Sequence, residues 1–191
     1  MVKGRGKQMK KVGVFLAKGF EEVEALTPVD LLRRAGAEVT MISIGEIREV
    51  TGSHGIAIAA DKVFEDMKFD EMDLLVLPGG MPGTRNLADS GRLLQVLQDA
   101  DQAGKLIGAI CAAPTVLGKA GLLKGRKATC YPGCEEGLTG ALVRTEPVVT
   151  DGRITTSRGV GTAIPFALRL IELLFGEKKA KEIAESIVYG A

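Results

Sequence analysis

Four short runs of apolar, β-compatible residues recur along this chain: Lys11–Leu16, Val39–Ile44, Leu74–Leu77 and Lys105–Ile110. Three of them lead, directly or after a turn, into segments with helical spacing. Apolar runs without alternation describe strands buried on both faces, and such strands belong to parallel sheets covered by helices. The fold class expected is therefore α/β: a flavodoxin-like or Rossmann-like three-layer sandwich, with a mostly parallel sheet and helices on both faces. Helices are expected over Glu21–Ala35, ending before Gly36 and kinked at Pro28, over Arg92–Ala103, from Pro114 onward, and over Thr162–Phe175 and Glu177–Val188. Two short β pieces, Glu49–Thr51 and Ile56–Ile58, flank Gly52-Ser53-His54-Gly55, and Asp151-Gly152 marks a hairpin between Arg144 and Thr156.

Composition narrows the function classes. The 191 residues suit one domain, read as 10–191, behind a basic, glycine-rich stretch at 1–9 expected to be a disordered tail. A net charge of +1 with 4% aromatic residues leaves no basic or stacking surface for nucleic acid. No apolar run reaches the length of a membrane span, so no membrane partner is expected. Three cysteines do not make a disulfide framework, and a reducing cytoplasm fits them best.

In sheets of this kind ligands bind beyond the carboxyl ends of the strands. Three turns fall at that edge: the one after Leu16, Pro78-Gly79-Gly80, and Cys111. Cys111 sits between a strand and a helix that opens at Pro114, where the helix dipole and free backbone N–H groups favour thiolate and stabilise a developing oxyanion. The ordinary alternative is a small buried hydrophobe. Gly79 and Gly80 let backbone approach closely, so their N–H groups and that of Ala112 are candidate oxyanion donors.

A nucleophilic cysteine needs a partner. The chain has one histidine, His54, in a glycine-flanked loop, and none follows Cys111, which disfavours a protease dyad or a glutaminase triad. The remaining partner is a carboxyl group among Glu21, Glu22 and Glu24. First-turn acids are commonly solvated complements of the helix dipole, and helical periodicity does not choose between Glu21 and Glu24. A glutamate in an apolar pocket would have a raised pKa, and could stay protonated and donate a hydrogen bond to sulfur. Cys130 and Cys134 lack the further ligands a metal site requires, and no G-x-G-x-x-G follows the first strand, so neither metal nor cofactor is expected.

The segments Leu16-Ala17-Lys18-Gly19-Phe20-Glu21-Glu22-Val23-Glu24, Val76-Leu77-Pro78-Gly79-Gly80, Ala109-Ile110-Cys111-Ala112-Ala113-Pro114 and Thr156-Ser157-Arg158-Gly159-Val160-Gly161-Thr162 together resemble the ThiJ/PfpI superfamily, most closely its DJ-one branch. The resemblance runs from about Lys10 to the last helix. It implies a homodimer with a nucleophile elbow at Cys111, Glu24 as carboxyl partner, and Gly80 and Ala112 as backbone donors. It further implies cofactor-independent glyoxalase action on 2-oxoaldehydes, repair of glycated groups, and oxidative-stress protection with chaperone behaviour. Cys111 would then be the residue oxidised to sulfinate.

Two positions depart from the family pattern. Tyr131 stands where members often carry a histidine near the thiol, and His54 lies in the loop where some relatives have arginine. Proton transfer then falls to Glu24, Tyr131 or water. Gly79, Tyr131, His54 and Cys130 complete the pocket candidates, with Cys130 a candidate to resolve a sulfenic acid on Cys111. The readings to be separated are a cysteine-dependent enzyme for an aldehyde or glycated substrate, a redox sensor and chaperone with an oxidisable Cys111, and a binding domain with an incidental thiol.

Overall fold

The computed structural model describes residues 9–190, so the tail read over 1–9 lies, apart from Met9, outside the described residues. The elements run β1 (Lys11–Leu16), α1 (Glu22–Arg34), β2 (Glu38–Ser43), β3 (Glu49–Thr51), β4 (Ala57–Ala59), β5 (Lys62–Val63), β6 (Leu74–Leu77), α2 (Gly83–Asp89), α3 (Gly91–Gln102), β7 (Leu106–Ile110) and α4 (Pro114–Lys119). They continue through β8 (Lys127–Ala128), β9 (Leu142–Val143), β10 (Val148–Asp151), β11 (Ile154–Ser157), α5 (Ala163–Phe175) and α6 (Glu177–Ser186).

The central sheet has seven strands in the order β10-β11-β7-β6-β1-β2-β5. Every pairing in it is parallel except β10 with β11. Alternate residues of the buried strands feed two cores on opposite faces. Phe15, Leu75, Leu77, Ile107 and Ala109 meet Leu87, Leu93, Leu97 and Leu117 on one side. Val14, Leu16, Leu74, Val76 and Ile110 meet Leu32, Phe166, Leu170 and Ile171 on the other. Each of these Val, Leu, Ile and Phe side chains contributes about 1.5–3 kcal/mol on burial. This double-sided burial is why β6 reads as the unbroken apolar run Leu74–Leu77.

Several expectations shift in detail. Helix α1 passes through Pro28 without interruption, and Glu21 stands outside it as the N-cap, with extended backbone. The hairpin turn is Gly152-Arg153, because Asp151 already pairs with Ile154. Gly152 takes the left-handed position at φ 59°. Helix α2 has no counterpart in the sequence reading, since Gly83-Thr84-Arg85-Asn86 supplies no apolar period before Leu87. Among the described residues no helix is long and apolar enough to cross a membrane.

Candidate active site

The carboxyl ends of β1, β6 and β7 converge on Cys111. Its backbone is held at φ 65°, a left-handed conformation that a non-glycine residue adopts at a cost of about 1–3 kcal/mol. The surroundings enforce it: the Cys111 N–H donates to Ser157 O at 3.0 Å, and its carbonyl accepts from the Tyr131 N–H at 2.8 Å. Pro114 opens α4 three residues later, as a residue without an N–H may. The elbow is thus a strained turn clamped from both sides, with the Ala112 and Gly80 N–H groups directed at the sulfur.

Glu24 reaches this sulfur from the first turn of α1. Its side chain is 1% exposed, and its Oε2 accepts from the Gly79 N–H at 3.0 Å. Gly79 therefore serves the carboxylate and is not a free oxyanion donor, a correction to its role as a candidate. Its carbonyl accepts from the Glu21 N–H at 2.8 Å, so one glycine ties both glutamates to the end of β6. A Cβ there would lie 2.6 Å from Cys111 Cβ and 2.7 Å from Glu24 Oε2. Gly80 follows at φ 89°, where only glycine is unstrained.

Burial raises the Glu24 carboxyl to about 7, the nearby Glu21 charge adds to the rise, and hydrogen bonds from Cys111 and Gly79 oppose it. The thiol moves against expectation. Burial, followed by the charge and hydrogen bond of Glu24, pushes Cys111 up to about 12, and the Ala112 and Gly80 N–H groups recover only part of this. Helix α4 spans only six residues, too short for its dipole to outweigh an adjacent carboxylate. At neutral pH the thiol therefore keeps its proton, while Glu24 stands near the midpoint between carboxyl and carboxylate.

The other candidates divide. The Tyr131 ring lies beside Gly159: a Cβ on that glycine would meet Tyr131 Cδ2 at 3.4 Å and Glu24 Oε1 at 3.8 Å. Tyr131 and the second oxygen of Glu24 therefore flank one position at the mouth of the site. His54 goes elsewhere. Its Nδ1 is 3.0 Å from Glu22 Oε2 and its backbone N–H donates to Glu22 Oε1 at 2.8 Å, with no polar contact to Cys111 or Glu24.

Cys130 is buried in the core under the face opposite the one Cys111 packs against, and burial raises its thiol to about 11. All three cysteines are free. Glu21 and Glu22, readable as solvated first-turn acids, are 8% and 3% exposed. The role of Glu22 had no signal in the sequence, because its partners come from the distant 53–56 loop.

A strained cysteine elbow on a parallel sheet, with a buried carboxyl against the thiol, defines the class: a flavodoxin-like α/β protein with a cysteine–carboxyl pair at the carboxyl edge of its sheet. The family model for the DJ-1/PfpI family matches residues 10–173, and the chain belongs to that family. It is 41% identical over 94% of its length to Protein DJ-1 homolog B of Arabidopsis thaliana, but spans only 41% of that longer relative. It is 34% identical to the glutathione-independent glyoxalase DJR-1.2 of Caenorhabditis elegans, over 87% of this chain and 89% of that one. The structure of oxidized Toxoplasma gondii DJ-1 superposes with a TM-score of 0.91 at 40% identity, covering 95% of this chain and all of the other.

Proposed function

We propose that this protein is a cysteine-dependent, cofactor-independent glyoxalase or deglycase acting on 2-oxoaldehydes or glycated groups, with Cys111 as nucleophile and Glu24 as its base. The observation that carries this reading is the buried Glu24 carboxyl, poised at about 7 and hydrogen-bonded to the thiol. A base with a pKa near the working pH is the efficient choice for moving a proton at neutrality. The glyoxalase name of the Caenorhabditis elegans relative supports it.

The sulfur of Cys111 adds to the aldehyde carbon as its proton passes to Glu24. The carbonyl oxygen becomes an alkoxide held by the Gly80 and Ala112 N–H groups, and takes that proton to give a hemithioacetal. Glu24 then removes the proton from the former aldehyde carbon. Glu24 returns that proton to the neighbouring carbon while the hydroxyl proton passes from the first oxygen to the second, leaving a thioester of the 2-hydroxy acid. Water hydrolyses it, restoring the thiol. The net change is addition of one water to the 2-oxoaldehyde, with no external oxidant. Tyr131, at the mouth, contacts the substituent end of the substrate.

Methylglyoxal consumption without glutathione or added metal tests this. Wild type is expected to turn over and Cys111→Ser to fall to background; equal rates would sink the proposal. Because the carboxylate form is required, kcat/KM should rise with pH through about 7. It should show no inflection from the thiol in the neutral range.

A second reading, oxidation sensing at Cys111, draws support from the oxidized state of the Toxoplasma relative. A measured Cys111 pKa below about 8.5, the free-thiol value, would favour it over the Glu24-base mechanism.

We also infer a homodimer. A groove of about 700 Å³ along the outer face of α1 is lined by Val23, Leu26, Leu31, Ile56, Ile164 and Val188. Four of these, Val23, Ile56, Ile164 and Val188, are large apolar side chains left exposed. Sedimentation should give a dimer for wild type and a monomer for Val23→Asp; a wild-type monomer would exclude it.

A further inference from the structure

We propose that Cys130 and Cys134 are a second thiol site, which closes to an internal disulfide by exchange with a low-molecular-weight disulfide, separately from the chemistry at Cys111. Between them runs Tyr131-Pro132-Gly133. The Cys134 N–H donates to Tyr131 O at 3.0 Å and Gly133 takes φ 92° behind a proline, the pattern of a type II turn centred on Pro132 and Gly133. Such a turn brings its outer Cα atoms, here Tyr131 and Cys134, within about 7 Å.

Cys130 immediately precedes the turn. The Cys134 N–H lies against the Cys130 sulfur, and a charge on the Cys134 thiol acts directly on Cys130. Both side chains pack on the same core, Cys130 at 2% exposure and Cys134 half-buried, whereas Cys111 packs on the other. A disulfide needs Cα atoms about 4.4–6.8 Å apart, the range that a chain reversed over so short a segment supplies.

The surroundings favour the closed pair once it has formed. Burial pushes Cys130 up to about 11, with charges on Glu135 and Cys134 adding to the rise and Arg158 opposing it. Burial, then Glu135, raises Cys134 as well. Strongly oxidising disulfides are those whose reduced form is stabilised, and a low-pKa thiolate is the usual means. Neither sulfur here has that advantage, and a disulfide carries no charge to desolvate. Reopening the pair at Cys130 would also expel a thiolate of high pKa, which leaves slowly.

Cys134, the more accessible sulfur, begins the exchange. As its proton passes to solvent, its sulfur attacks one sulfur of the small disulfide, and the other leaves as a thiolate that takes up a proton. Cys130 then gives up its proton and attacks the Cys134 sulfur, expelling the second small thiol. Two protein thiols and one small disulfide become one internal disulfide and two small thiols, with no other oxidant. Tyr131, whose N–H donates to Cys111 O at 2.8 Å, is thereby held between two linked neighbours.

Lys127 and Arg144 bound one tryptic peptide that holds both cysteines, while Cys111 falls in another that ends at Lys119. The full-length protein is equilibrated with mixtures of reduced and oxidised glutathione, its free thiols are alkylated, and the peptides are weighed. The 128–144 peptide is expected to lose two hydrogens and take no alkyl group, in wild type and Cys111→Ser alike, while Cys134→Ser leaves Cys130 without an internal partner. The equilibrium constant should exceed that of the guanidinium-unfolded chain by about tenfold or more, the stabilisation that a short-loop disulfide gives a folded chain. Both thiols alkylated at every ratio, a mixed disulfide with glutathione as the end point, or a crosslink to the Cys111 peptide would each overturn the proposal. So would a constant no higher in the native protein than in the unfolded chain.

Discussion

Glu22 and Glu24 stand two residues apart on the first turn of α1, at 3% and 1% exposure, yet their carboxyl groups are driven in opposite directions. Burial opposes the charged form of both. At Glu22 it is outweighed by hydrogen bonds from His54, through ring and backbone, and from the Ile56 N–H, so the pKa is lowered. At Glu24 burial wins: one N–H, from Gly79, and one thiol do not repay it, and the Glu21 charge adds to the penalty. The number of donors aimed at a carboxylate, rather than its depth, decides whether it is a structural anion or a titrating base.

The largest effect that would sharpen this contrast is catalytic. Glu24→Gln keeps a hydrogen-bonding side chain but cannot accept the thiol proton, and turnover should fall by at least about 10²–10⁴-fold, the worth of general base catalysis. Near-wild-type kcat/KM in this variant would move the base elsewhere.

The same variant should separate activity from stability. A folded-state pKa of about 7 against an ordinary 4.5 means that Glu24 favours the folded state below about 4.5. That advantage disappears as pH rises through 7. Glu24→Gln should then be more stable than wild type at pH 8 by up to roughly 3 kcal/mol, at 1.36 kcal/mol per unit, and show no such gain near pH 4. Urea unfolding at both values measures it; a variant less stable at pH 8 would contradict a strained carboxylate.

Gly79→Ala comes next. The added methyl runs into Cys111 Cβ and Glu24 Oε2, with Ile110 O at 3.0 Å, and overpacking of this kind costs about 1–3 kcal/mol. Activity should drop with it, because the collision falls on the Cys111 and Glu24 side chains.

The smallest expected effect is at the other carboxyl. The His54 pKa is raised, its largest cause the hydrogen bond with Glu22, so its contribution is complete below its unfolded value and is lost as pH rises through the raised one. In His54→Ala the melting temperature should lose that component of its pH dependence, with kcat/KM for methylglyoxal unchanged. A large loss of turnover would show that the two carboxyl environments are not independent.

Much of this was legible in the chain. Unbroken apolar runs such as Leu74–Leu77 announce strands buried on both faces, and a cysteine between such a strand and Pro114 announces an elbow. The choice between Glu21 and Glu24 was not legible. Both lie on apolar lines of the helix, and only the path of the chain past Gly79 turns one into a cap and brings the other to the thiol.

The ionisation of Cys111 was read in the wrong direction for the same reason. A helix start after a cysteine is visible in sequence. The burial of that sulfur against a carboxylate fixed by a residue 55 positions from Glu24 is not.

By itself, then, the sequence determined the layers, the elbow and the residue types available for thiol chemistry, because hydrophobic period and turn chemistry are local. The tertiary structure alone decided which carboxylate is starved of donors, in which direction the Cys111 thiol is pushed, and that His54 serves Glu22. These depend on desolvation and on hydrogen bonds between segments far apart in the chain, which no local pattern encodes.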